Sequence, residues 1–99
     1  MGRNMSPSDA ELYGRVDEVL HYVWDPIGIS SEPMARDEYY SYLPQVFSLL
    51  KEDAGAERLA AYLSRISTEQ MGLTENKSKD LQVAEVLLAW KETIRKKYS

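Results

Sequence analysis

The chain has 99 residues, of which 43% are hydrophobic and 28% charged, with no cysteine and a formal net charge of −4. That length allows one domain, and that balance describes a globular chain and not a disordered one. The lack of cysteine excludes disulfides, thiolate metal sites and cysteine nucleophiles, and no apolar run approaches the ~18 residues that a membrane-spanning helix needs.

The first seven residues read as a flexible leader and residues 8–98 as one helical domain. Met1–Ser6 matches the bare myristoylation pattern, which is short and weak. No apolar signal core follows it, so a cytoplasmic location is expected. Charge is unevenly spread: residues 1–76 carry six Lys/Arg against thirteen Asp/Glu, and residues 77–99 carry six against three. An acidic body disfavours nucleic acid as the partner. The basic end from Lys91 to Lys97 suits the negative pole of a helix C-terminus.

Helix 1 is expected to start at Ser6, with Pro7 in first position, or at Ser8, with Glu11 at capping-box spacing. Leu12, Val16, Val19, Leu20 and Val23 then share one stripe. Gly14 weakens the helix by about 1 kcal/mol and leaves room for a close neighbour. His21, the only histidine, falls at the helix end, where a surface or capping role is expected.

Tyr22-Val23-Trp24-Asp25-Pro26-Ile27-Gly28-Ile29 is the organising corner. Pro26 forces Asp25 out of the helix, and Asp-Pro-Ile-Gly suits a type I turn. Trp24 and Ile27 are expected to pin the corner into the core. This turn chemistry accounts for Asp25 without a functional role.

After the connection at 28–35, helix 2 is predicted from about Ala35 to Asp53. Its stripe is Tyr39, Tyr42, Leu43, Val46, Leu49 and Leu50, widened by Tyr40 and Phe47. Pro44 lies inside this pattern, so the helix is kinked or broken near Tyr40–Leu43. Helix 3 covers about Ala56 to Met71 with Leu59, Tyr62, Leu63, Ile66 and Gln70 inward, stopped by Gly72 with Leu73 packing behind it. Helix 4 runs from about Lys79 to Lys97. Leu81, Ala84, Leu87, Leu88 and Lys91 lie along one side, and Val83, Trp90 and Ile94 broaden it, a width that suits a central helix or one shared with a second copy. Period-two alternation is absent at strand lengths. The expected fold is therefore all-α, a small bundle of four antiparallel helices.

The candidate binding surface gathers Trp24, Asp25, Asp37, Glu38, Tyr39, Tyr40 and Tyr42 at one rim. Seven tyrosines in the chain exceed what a core of this size needs, and tyrosine suits interfaces. Helical geometry cannot turn both Tyr39 and Tyr40 inward, so one is expected to be partly exposed. The carboxylates Asp37 and Glu38 are adjacent on a helix and point in different directions, which makes them a poor metal pair. Gly-rich phosphate loops, HExxH, EF-hand, GxSxG and Glu-x-x-His patterns are all missing. No catalytic residue, metal or cofactor is expected. The expected partner is a protein, with neither nucleic acid nor membrane, and helix 4 offers a route to a homodimer. The alternative is a small-molecule or metal pocket formed by the Trp24–Gly28 corner and the Pro44 bend, holding Asp25, His21 and Tyr42.

These motifs resemble the YugE-like class of small bacterial helical proteins of unknown function. The matching residues are Trp24-Asp25-Pro26-Ile27-Gly28, Asp37-Glu38-Tyr39 with Tyr42, Glu69, Met71-Gly72 and Leu73. The resemblance implies an all-α fold and supplies no catalytic residue. Tyr40 stands where that class usually has an acidic residue, which removes one carboxylate from any metal reading.

Overall fold

The structure is a computed structural model that describes residues 5–26, 28 and 39–99. The expected helix start near Ala35, the Ile27 anchor and the pair Asp37 and Glu38 lie outside the described residues.

Ser6 caps the first helix, α1 (Pro7–Glu18), by accepting the Asp9 backbone N–H at 3.2 Å, with Pro7 in the first turn. Its inward stripe is Leu12 and Val16. A wider π-type turn, Val19–Trp24, continues it, and the Asp25 N–H reaches back five residues to the Leu20 carbonyl at 3.1 Å. A π-turn accommodates one extra residue per turn. The stripe therefore rotates, burying Trp24 and leaving Val23 exposed, in place of the predicted inward Val23. Gly14 is exposed, with nothing within 4 Å of an added Cβ, so no close neighbour uses the space.

The chain leaves the helix through Asp25 in the left-handed region, at φ 31° and ψ 58°. The Gly28 N–H then donates to the Asp25 carbonyl at 3.1 Å and closes a four-residue turn around Pro26. Tyr39 and Tyr40 are helical, Ser41 and Tyr42 form a turn, and a new helix, α2 (Leu43–Lys51), begins there. Pro44 sits at the start of α2, where the missing N–H has no partner to lose. The turn at Ser41 and Tyr42 thus interrupts the helical path just before Pro44, within the predicted Tyr40–Leu43 break, and α2 ends two residues before the predicted Asp53.

The third helix, α3 (Ala56–Arg65), is prolonged by a second π-type segment, Ile66–Gln70. Its end follows the predicted glycine stop. Gly72 takes φ +69°, and the Leu73 N–H bonds the Ser67 carbonyl at 2.8 Å. The extra residue again shifts the phase. Leu59, Leu63 and Ile66 face inward as expected, but Ser64 and Ser67 join them and Gln70 is exposed. Asn76 caps the fourth helix, α4 (Lys77–Lys97), through the Lys79 N–H at 3.2 Å.

Paired contacts give the directions of the helices. Asp9 meets Lys51 at 2.8 Å, Tyr13 packs edge-on against Phe47 at 5.1 Å, and Asp25 meets Tyr39 at 2.6 Å. The N-terminal segment and the chain leading into α2 therefore run antiparallel. Glu11 bonds Lys97 at 3.0 Å, the Arg15 guanidinium lies 4.8 Å from the Trp90 ring, and Trp24 bonds Asp80 at 3.1 Å, so α1 and α4 are antiparallel too. Ser64 bonding Asp80, with Asp53 pairing Lys91, sets α3 against α4 in the same sense. The result is an up-down-up-down bundle of four helices with no strand among the described residues. Val16, Leu43, Val46, Leu50, Leu63 and Leu87 form the centre of the core, each contributing about 1.5–3 kcal/mol by burial.

On α4 the buried set is Asp80, Val83, Ala84, Leu87 and Ile94. The predicted inward Leu81 is instead partly exposed. A carboxylate occupies the interior position, and the reason lies in two distant donors.

Candidate functional site

The corner after α1 is built on Trp24 and Tyr39. Trp24 is fully buried and Tyr39 is 1% exposed. Their ring centroids are 5.6 Å apart in a tilted contact, and the Tyr39 hydroxyl donates to Asp25 Oδ1 at 2.6 Å. Trp24 Nε1–H donates to Asp80 Oδ1 at 3.1 Å, and the Ser64 hydroxyl donates to Asp80 Oδ2 at 2.6 Å. Three segments distant in sequence are thus tied through one carboxylate. A buried charge is tolerated when each oxygen has a donor, and these two donors arrive from α1 and α3.

His21 departs from its expected surface role. It is 3% exposed and packs edge-on against Tyr22 at 4.5 Å and Tyr39 at 6.3 Å. Its Nδ1 has no hydrogen-bond partner among the described residues. His21 lies three residues before Trp24, a spacing that sets the two on neighbouring positions of the helix surface, and Tyr39 packs against both rings.

The predicted site residues divide by burial. Asp25, Trp24 and Tyr39 come together, but neither aromatic ring of this trio presents a face to solvent. Tyr40 is 51% exposed, so the Tyr39/Tyr40 expectation resolves with Tyr39 inside. Tyr42 lines a separate depression of about 140 Å³ with Tyr62, Arg65 and Gln70. Tyr22 and Val23 are 62% and 45% exposed; helical spacing placed Val23 inward and did not single out Tyr22. Val23 borders a groove of about 490 Å³ shared with Gln82, Val83 and Val86 of α4.

A smaller cavity of about 130 Å³ opens at the corner itself, lined by Pro26, Ser67, Thr74, Asn76, Lys79 and Asp80. None of the expected His21, Asp25 and Tyr42 lines it. Two hydroxyls, an amide, an ammonium and the edge of the buried carboxylate suit a small polar molecule. Among the described residues no group of three or more His, Asp or Glu side chains is placed to hold a metal ion. No described helix is long and apolar enough to cross a membrane.

No protein-family model matches the chain, and neither a curated protein nor a solved structure matches it.

Proposed function

We propose that the protein is a small cytoplasmic protein-interaction or regulatory module, with an immunity-type role as one form of it. The observation that carries this reading is the division of aromatics at the corner. Trp24 and Tyr39 lock it from inside, while Tyr22, Val23 and Tyr40 stand out in solvent. Tyrosines held on a rigid support bind with little loss of conformational freedom. The acidic balance of residues 1–76, in which Asp37 and Glu38 take part, matches a partner with a basic surface. The resemblance to YugE-like proteins, carried by the same corner, belongs to this proposal. So does homodimerisation through α4, where Leu81 is exposed; light scattering across concentration tests that form, and a strict monomer ends it. The test of the main reading is affinity capture from host cells with Asp37→Lys/Tyr40→Ala and Tyr22→Ala variants. Loss of a specific captured protein with unchanged helical circular dichroism is expected. Capture unaffected by both variants ends the reading.

The 130 Å³ cavity at Pro26 and Asp80 favours a second reading, a small-molecule-binding domain. A thermal-shift screen with small polar metabolites tests it. A flat response at millimolar ligand removes it.

A further inference from the structure

A second groove lies on the opposite type of surface. Gln45 and Leu49 of α2 form one wall, and Arg58, Ala61, Tyr62 and Arg65 of α3 form the other, around a volume of about 360 Å³. Arg58 and Arg65 are seven residues apart on one helix, which separates their Cα atoms by about 10 Å and leaves Tyr62 between them. Among the described residues no carboxylate lines this groove, although the protein as a whole is acidic. Among the described residues Arg58 pairs with Glu52 at 3.3 Å in an exposed contact, the kind an incoming carboxylate readily exchanges. The Arg65 guanidinium lies 5.7 Å from the Tyr62 ring centroid, which keeps it at the groove wall. The neighbouring depression at Tyr42 and Gln70 shares Tyr62 and Arg65 and extends the same surface.

We propose that this α2–α3 groove binds an acidic peptide segment of a partner protein, with Arg58 and Arg65 each taking a carboxylate and Tyr62 packing against the backbone between them. A guanidinium fork matches a carboxylate in two parallel hydrogen bonds. An extended peptide places alternate side chains on one face at about 6.7 Å spacing, within reach of two long arginines on centres about 10 Å apart. A long polyanion fits less well, because the rest of the acidic body repels it. The groove shares no lining residue with the Tyr22, Val23 and Tyr40 surface, so this site stands or falls independently of the function proposed above.

The test is fluorescence anisotropy on the full chain. The probes are a short labelled peptide of alternating Glu and Ser, the same peptide with Gln for Glu, and a labelled single-stranded oligothymidylate. Saturable binding of the Glu peptide that weakens with salt is expected. Arg58→Glu and Arg65→Glu should each weaken it by about tenfold or more, and the milder Arg65→Gln should weaken it less. Lys96→Glu changes the net charge equally but lies outside the groove, and it should leave binding nearly unchanged. Equal binding of the Gln peptide, an equal loss in Lys96→Glu, or tighter binding of the oligothymidylate would each overturn the proposal.

Discussion

Trp24 and Asp80, 56 residues apart in the chain, share a buried hydrogen bond of 3.1 Å that ties the end of α1 to the start of α4. Ser64 occupies the other carboxylate oxygen at 2.6 Å. Removing the acceptor strands two buried donors at once. Asp80→Ala is therefore expected to cost about 2–4 kcal/mol, read from urea denaturation. A double-mutant cycle with Trp24→Phe should show non-additivity, because the two changes delete one shared bond. Strict additivity would mean that the bond contributes nothing.

The Tyr39–Asp25 bond makes a parallel prediction with a smaller magnitude. Tyr39→Phe keeps the packing on Trp24 and removes the hydroxyl that donates to Asp25 at 2.6 Å. A loss of about 1–3 kcal/mol is expected for a bond to a charged acceptor. Chemical denaturation measures it, and the near-ultraviolet signal of Trp24 should persist in the variant.

Two glycines should respond with opposite sign. Gly72 has φ +69° at the end of α3, so Gly72→Ala strains the helix stop and should cost about 1 kcal/mol. Gly14 lies within α1 with open space around its missing side chain. Gly14→Ala should stabilise the protein by about 0.5–1 kcal/mol. Thermal melts of the two variants, compared with the parent, test the pair together.

The tie between the chain ends sets a pH dependence. Hydrogen bonds from Lys97 and then Tyr98 hold the Glu11 carboxyl below its ordinary range. Its contribution is present above that ordinary range and is lost as pH falls through the lowered value. The Glu11 hydrogen bond raises Lys97, so the Lys97 contribution is complete below the ordinary lysine range and disappears as pH rises through the raised value. Glu11→Gln should flatten both flanks of a urea-midpoint against pH curve. An unchanged acid flank would show that the tie does not persist in solution.

Much of the architecture could be read from local chemistry. Ser6-Pro7, Pro26, Pro44 and Gly72 each act through their own backbone geometry, so the starts, breaks and stops they cause depend on no distant partner. The candidate site was harder to read for a specific reason. Helical spacing assumes a constant phase, and the π-turns at Val19–Trp24 and Ile66–Gln70 break it. Val23 and Gln70 therefore came out while Ser67 went in. The unbroken α4 misled in another way, since Leu81 fits the apolar stripe and nothing near Asp80 in the chain reveals its distant donors.

Residue order alone was enough for the all-helical class, the number of helices and the proline-locked corner, because these follow from apolar periodicity and from bonds made within a few residues. Packing alone settled that Asp80 lies inside and Leu81 outside, that His21 is enclosed, and that Arg58 and Arg65 face one groove with no carboxylate among its described lining residues. A buried charge is stable only once donors from other helices reach it. That meeting of Trp24, Ser64 and Asp80 exists only after the chain has folded.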